Sequence, residues 1–234
     1  MTSAAMKVFT SCLFSILLIN SSLLALPSKK KKSKPLPQGV KLIKDIEYKN
    51  VNGTSLLLDL YLPKDLSKKA PIVMWVHGGG WLNGSKERVK SLFLVEKGFA
   101  IASINYRLTT QAIWPAQIED CRSAVRFLRK NATSYNLDGE NICAWGGSAG
   151  GHLVAVLGTQ DLPKNEQISS KVQTVIDWFG PSDLLTMPPN TVSEKRTLEQ
   201  VAKSNGAKLL GATVRDVPKL AIEASAFWNF SSDD

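Results

Sequence analysis

Histidine is the scarcest chemistry-bearing residue type in this sequence. The chain of 234 residues has two, His77 and His152, which excludes His-rich metal sites and leaves any histidine-dependent mechanism two side chains to use. Cysteine is nearly as scarce, with three in the chain. Cys121 and Cys143 both lie in apolar patterns, which favour buried free thiols over a disulfide. The sequence implies no metal and no organic cofactor.

Acidic residues are missing from the N-terminal part of the chain. Eight of the 29 basic residues precede the first acid, Asp45, and the remaining 21 basic residues are balanced by 20 acidic ones. The formal charge of +9 is therefore a property of this N-terminal part, and the rest of the chain is near neutral. Nucleic-acid recognition needs a basic stripe on a folded face, so we expect no nucleic-acid partner.

A single strongly apolar run occurs near the N-terminus, within residues 8–26, behind Lys7. It is too short to span a bilayer and is typical of a secretory signal peptide, so we expect residues 1–25 to be a signal and the protein to be exported, periplasmic or extracellular. The lysines at 29–34 oppose translocation, which leaves an uncleaved membrane anchor as the alternative. Residues 26–44 read as a basic Pro/Lys linker, and residues 45–234 as the folded domain.

Short apolar runs alternate with helical patterns along the rest of the chain. This alternation predicts an α/β fold, with a mostly parallel sheet and helices on both faces. Predicted strands cover Lys41 to Tyr48, Ser55 to Leu62, Pro71 to Val76, Phe99 to Asn105, Glu140 to Trp145 and Val172 to Phe179. Predicted helices cover Lys86 to Lys97, a segment opening at Pro115, one ending at Leu157, and fragments at Glu194 to Lys203 and Lys219 to Ala224. We predict no strand after Phe179.

A glycine-rich turn containing Ser148 follows one predicted strand and precedes a predicted helix. Residues 146–150 read Gly-Gly-Ser-Ala-Gly, a G-x-S-x-G pattern. A nucleophile on such a tight turn needs small neighbours, and its backbone lies at a helix N-terminus, where negative charge is stabilised. A close crossing of a helix and a strand would also require glycines here.

A second glycine-rich segment, His77-Gly78-Gly79-Gly80-Trp81, directly follows the predicted strand that ends at Val76. Consecutive glycines let backbone N–H groups point into a cavity without side-chain obstruction, as an oxyanion hole requires. Either segment alone is compatible with an ordinary glycine-rich turn. Both segments in this order, each after a strand, favour a catalytic site.

With these two motifs the sequence resembles the α/β-hydrolase fold, and within it the carboxylesterases and lipases related to hormone-sensitive lipase. The resemblance extends to Asn105-Tyr106-Arg107-Leu108, to Trp114-Pro115-Ala116-Gln117 and to Gly180-Pro181-Ser182-Asp183-Leu184. The Gly-Gly-Ser-Ala-Gly-Gly run looks like that of small exported esterases that act on acylated carbohydrates or feruloyl esters. The resemblance implies a serine esterase with a small-molecule ester substrate and an acyl-enzyme intermediate.

The resemblance also implies a role for each motif residue. Ser148 would be the nucleophile, with the backbone N–H groups of Gly79, Gly80 and Ala149 forming the oxyanion hole. His77 and Gly78 would support the oxyanion loop. His152 would not be the base, because a residue one helical turn after the serine rarely reaches back to its hydroxyl. Asp183 would cap a structural turn.

The acid and the base of a catalytic triad are missing from their expected places. In this fold the chain order is Ser, then Asp or Glu, then His, and no histidine follows His152. We therefore expect a C-terminally truncated sequence that lacks the strands carrying the acid and histidine loops. Two alternatives remain open: a non-catalytic binding protein of the same fold, and a peptidase or amidase. A membrane contact is expected only through an uncleaved N-terminal segment.

Overall fold

The computed structural model describes residues 36–161 and 166–231. The predicted signal segment and most of the predicted linker lie outside these residues. The strands are Val40–Val51 (β1), Thr54–Pro63 (β2), Ala70–Val76 (β3), Ala100–Ile104 (β4), Leu137–Gly147 (β5) and Thr174–Trp178 (β6). The α-helices are Ala116–Lys130 (α1), Ala149–Thr159 (α2), Leu198–Ala202 (α3), Asn205–Leu210 (α4), Pro218–Glu223 (α5) and Ala226–Asn229 (α6).

The six strands of the described residues form one mixed sheet in the order β1-β2-β4-β3-β5-β6. β1 pairs with β2 and β2 with β4 in antiparallel fashion, whereas β3 pairs in parallel with β4 and β5, and β5 in parallel with β6. Parallel strands end at the same edge, so the turns after β3, β5 and β6 lie close together. This α/β architecture confirms the predicted fold class.

One face of the sheet carries the main core. Alternate residues of the central strands, such as Leu58, Ile72 and Met74, pack there with the apolar faces of α1 and α2. α1 is amphipathic, since its buried residues include Ile118, Cys121, Val125 and Leu128, which lie on one face of the helix. Within the described chain, the opposite face is covered by a 3₁₀ helix at Leu92–Lys97 and by the apolar residues around it.

Two predicted boundaries are wrong. The helix predicted from Lys86 to Lys97 is reduced to the 3₁₀ turn at Leu92–Lys97, because Lys86 is drawn into a buried ion pair with Asp59 at 2.8 Å. Gly98 ends this turn in a left-handed conformation with φ 90°. β1 begins at Val40 and therefore takes in residues 40–44 of the predicted linker, because Val40 and Leu42 pack against the second face of the sheet.

The cysteines Cys121 and Cys143 are both free, as predicted, the first buried and the second half-buried. Burial raises the pKa of the Cys143 thiol to about 11. The sheet has no strand after β6 within the described residues, in line with the sequence pattern. None of the helices in the part of the chain described above is long and apolar enough to cross a membrane.

Candidate active site

Ser148 lies on a sharp turn between the end of β5 and the start of α2. Its backbone has φ 55° and ψ −122°, a conformation that non-glycine residues rarely adopt and that often marks a functional site. Its N–H donates to the Trp178 carbonyl at 2.8 Å, and its own carbonyl accepts from His152 N at 2.9 Å. The residue is exposed. The backbone is therefore held firmly while the side chain faces the surroundings.

The glycines around the turn are required by close backbone contacts. A Cβ at Gly146 would lie 2.2 Å from the Gly150 carbonyl oxygen, and a Cβ at Gly150 would lie 2.1 Å from the Val76 carbonyl oxygen. Carbon and oxygen atoms cannot approach so closely, so glycine is needed for the first turn of α2 to lie against the end of β3.

The loop that follows β3 lies against the serine turn. A Cβ at Gly78 would lie 2.5 Å from the Gly147 carbonyl oxygen and 3.3 Å from Ser148 Cβ. Gly79 and Gly80 have φ values of 132° and 62°, which glycine adopts without strain. Within the described residues, no backbone carbonyl accepts from the N–H of Gly79 or Gly80.

The N–H of Ala149 is also available, because the first N–H groups of a helix lack intrahelical partners. Ala149, Gly80 and Ser148 line one pocket of about 560 Å³. Gly79 lies in the adjoining turn, where its carbonyl accepts from Leu82 and Asn83 at 3.1 and 3.2 Å. The predicted nucleophile and predicted oxyanion loop are thus neighbours in the structure.

His77 is buried beneath the glycine loop that follows β3. Its ring stacks on Tyr106 with a centroid distance of 4.4 Å, and its carbonyl accepts from the Tyr106 hydroxyl at 3.0 Å. Its Nδ1 lies 2.9 Å from the Gly78 carbonyl oxygen and therefore carries the proton that it donates. Burial lowers the pKa of His77. These contacts are those of a residue that supports the loop.

His152 is fully buried on the first turn of α2. Trp81 Nε1 can only donate, so the contact of 3.3 Å makes His152 Nδ1 the acceptor, and Nε2 then donates to the Ala224 carbonyl at 2.6 Å. Burial lowers the pKa of His152 to about 4. Both ring nitrogens are occupied away from Ser148, as the sequence analysis expects.

Asp183 caps a turn, as expected from the sequence. Its carboxylate accepts from the backbone N–H groups of Leu185 and Thr186 at 2.9 and 3.3 Å and from Trp228 Nε1 at 3.1 Å. Partial burial alone would raise the pKa of Asp183, but the hydrogen bonds from Thr186, Trp228 and these backbone groups lower it.

The remaining motif residues stabilise the loops around the site. Asn105 accepts from Lys86 N at 2.8 Å through its side chain. Arg107 makes a two-pronged contact with the fully buried Asp120, with both N···O distances at 2.8 Å. Such paired hydrogen bonds fix the guanidinium geometry.

One wall of the pocket is not predicted from the sequence. It is formed by Phe179 to Pro181 and by residues from 187 to 206, among them Arg196, Lys203 and Asn205. Phe179 has a recognisable signal, since it follows a parallel strand at the edge where ligands bind. It is 81% exposed and has φ 49°. Gly180 and Pro181 belong to a motif that carries the family resemblance, but the sequence does not indicate that this motif lines the site. The other wall residues lie in the segment from Met187 to Gly206, which includes α3 and the start of α4.

A parallel-stranded sheet edge that carries a serine turn and a glycine loop is typical of the α/β-hydrolase fold. Residues 58–234 match the BD-FAE family, and the chain belongs to that family.

The chain is similar to several curated and solved proteins. It is 35% identical over 150 residues to esterase LipQ of Mycobacterium tuberculosis, covering 60% of this chain and 35% of LipQ. A solved carbohydrate esterase from gut microbiota, in a truncated form, is 29% identical with a TM-score of 0.72, covering 83% of this chain and 74% of that one. The bifunctional GH43-CE protein of Bacteroides eggerthii is 31% identical with a TM-score of 0.70, covering 82% and 27% respectively. The matched regions span about a third of the length of the curated relatives.

Proposed function

We propose that the protein is a serine carboxylic-ester hydrolase with Ser148 as its nucleophile. The observation that carries the proposal is the exposed serine at φ 55° on the turn between β5 and α2, with Gly78 of the oxyanion loop in contact with that turn. The family membership and the esterase LipQ support the same class. The similar carbohydrate esterase from gut microbiota supports an ester of a carbohydrate as the substrate.

In the proposed reaction, Ser148 Oγ forms a bond with the ester carbonyl carbon and its proton passes to a base. The carbonyl oxygen becomes negatively charged, and the N–H groups of Gly79, Gly80 and Ala149 donate to it. The bond to the alcohol oxygen then breaks, the alcohol leaves with a proton, and water releases the acid from the acyl-enzyme. His77 and Gly78 hold the loop that carries two of the three donors.

Neither histidine of this chain supplies the base from its described position, since His77 and His152 make the contacts given above. Loss of triad members leaves about 10³–10⁴-fold catalysis over water in a well-studied serine protease. We therefore expect slow acylation by this chain and faster acylation when free imidazole provides a base.

The test is labelling of the full chain by a fluorophosphonate probe, with the modified residue located by mass spectrometry. We expect labelling at Ser148, a rate that rises with imidazole, and none in Ser148→Ala. A folded protein that stays unlabelled at Ser148 even with imidazole would contradict the proposal.

Two alternatives predict different results. A peptidase or amidase of this fold should turn over aminoacyl amides faster than short p-nitrophenyl esters, whereas the proposed esterase should prefer the esters. A non-catalytic binding protein, which the occupied nitrogens of His152 favour, should bind ester ligands without becoming labelled.

We also propose that the protein is exported, on the strength of the apolar run within residues 8–26. N-terminal sequencing of the protein recovered from a secreting host tests this proposal. A new N-terminus near residue 26 supports cleavage, and an intact N-terminus in the membrane fraction supports an anchor.

A further inference from the structure

The pocket at Ser148 has an uneven charge. Its lining residues include two cations, Arg196 and Lys203, and no aspartate or glutamate within the described chain. Lys203 pairs with Glu199 at 2.6 Å, and both of these side chains are largely exposed. The charge of Lys203 is therefore already balanced.

Arg196 differs from Lys203 because no acidic side chain of the described residues balances its charge. Its backbone is fixed by two hydrogen bonds with Ser193, each 3.0 Å long, and the residue is half-buried. Across residues 36–161 and 166–231, no acid or acceptor contacts its guanidinium group. By contrast, Arg122 and Arg126 of α1 bind Glu119 and Glu166.

A guanidinium cation that lines a pocket and has no protein partner within the described residues is available to a ligand of opposite charge. A planar carboxylate is the ligand that best matches its fork of N–H donors. The pocket, at about 560 Å³, has the size usual for small-molecule sites. It can therefore hold a small ester together with a second polar group.

We propose that the substrate of this site is an ester that carries a free carboxylate, and that Arg196 binds this carboxylate while the ester lies at Ser148. The inference rests on the proposed function, because it takes Ser148 as the reacting residue. The carboxylate can belong to either half of the ester. A half-ester of a dicarboxylic acid carries it on the acyl side, and an acylated uronic-acid sugar carries it on the alcohol side.

The test measures binding in a Ser148→Ala background, so that hydrolysis does not interfere. Two matched ligand pairs are titrated by ligand-observed NMR. Monomethyl glutarate against dimethyl glutarate tests the acyl side, and a methyl 2-O-acetylglucuronoside against the corresponding glucoside tests the alcohol side. We expect the charged member of one pair to bind about tenfold more tightly than its neutral partner.

Arg196→Gln should remove this preference, and Arg196→Lys should keep part of it because the charge remains. Lys208→Gln, an exposed cation outside the pocket lining, controls for the overall charge and should keep the full preference. Added salt should weaken the preference. Circular dichroism melts establish that each variant is folded.

Equal binding of both members in both pairs would overturn the inference, as would no saturable binding of either carboxylate ligand. A preference that survives Arg196→Gln would also overturn it. Because these measurements do not depend on acylation, their failure is distinct from a failure of fluorophosphonate labelling at Ser148.

Discussion

Replacing Asp59 by alanine should destabilise the protein by about 3 kcal/mol, since it breaks a buried ion pair. Asp59 Oδ1 accepts from Lys86 Nζ at 2.8 Å and from Asp45 N at 2.9 Å. The side chains of Asp59 and Lys86 are only 2% and 5% exposed. The alanine variant would therefore leave a buried ammonium group with poorer partners.

The magnitude follows from the partners that remain. Breaking a buried pair by removing one member costs about 3–5 kcal/mol. The lower end applies here, because Lys86 keeps a contact of 2.8 Å with the largely exposed Asp45. Burial alone would lower the pKa of Lys86, but its hydrogen bonds to Asp45 and Asp59 raise the pKa well above its usual value. The stability that the raised pKa of Lys86 contributes is complete below the pKa of the unfolded lysine, about 10.5. It is lost as the pH rises through the pKa of Lys86 in the folded protein.

The assay is urea unfolding at neutral pH, followed by circular dichroism, for the native chain, Asp59→Ala and the double variant Asp59→Leu/Lys86→Met. The double variant should recover most of the lost stability, since apolar replacement of a buried pair is often neutral. A loss below about 1 kcal/mol for Asp59→Ala, the range of surface pairs, would refute the reasoning. A double variant as unstable as the single one would refute it as well.

The Asp59–Lys86 pair also holds the segment that follows the glycine loop after β3. Lys86 N donates to Asn105 Oδ1 at 2.8 Å, and its carbonyl accepts from Ser103 Oγ at 2.6 Å. Nearby, a Cβ at Gly84 would lie 2.3 Å from His77 Nδ1. Loosening Lys86 should therefore also disturb His77. We expect Asp59→Ala to slow fluorophosphonate labelling of Ser148 more than the smaller folded fraction of this variant would by itself.

Three further predictions concern the elements around Ser148. Acidification below about pH 6.5 should destabilise the protein by up to about 1.4 kcal/mol per pH unit, because the unfolded chain protonates His152 while the folded ring, with its pKa lowered to about 4, stays neutral. Urea titrations at several pH values measure this slope; if His152→Gln leaves it unchanged, the assignment is wrong. Gly150→Ala should lower the melting temperature, because its Cβ would lie 2.1 Å from a backbone oxygen, whereas Gly147→Ala, whose nearest neighbour would be 3.8 Å away, should be tolerated; equal losses in calorimetry would contradict this. Arg107→Lys should cost about 1–3 kcal/mol in urea unfolding, because it leaves the buried Asp120 with poorer hydrogen bonds; full retention of stability would show that the two-pronged geometry is not needed.

Local patterns were sufficient to predict the strands and the serine turn, because they depend on residues adjacent in the chain. The apolar run before His77 and the glycines around Ser148 are such patterns. The predicted helix at Lys86 failed for the opposite reason. Its helical spacing is real, but the gain from pairing Lys86 with Asp59, 27 residues away, outweighs the weak local preference.

The wall of the pocket could not be predicted for the same reason. Arg196 and Asn205 have no motif around them, and their position depends on how short helices pack against the sheet edge. Asn205 Nδ2 would lie 2.4 Å from a Cβ at Gly80, so the glycine loop after β3 and α4 are fitted to each other. Such complementarity appears only when distant segments have been brought together.

The contacts that hold Ser148 in place are not contacts that would activate its hydroxyl. A positive φ at Ser148 costs about 1–3 kcal/mol, and the surrounding backbone offsets this cost through the hydrogen bonds with Trp178 and His152. His152 then connects α2 to the glycine loop after β3 through Trp81 and to the end of α5 through Ala224. Because its ring is neutral and fully engaged, it stabilises the geometry of the serine turn without taking a proton from the hydroxyl. A base acting on Ser148 must therefore approach from the exposed side of the serine, where the pocket opens.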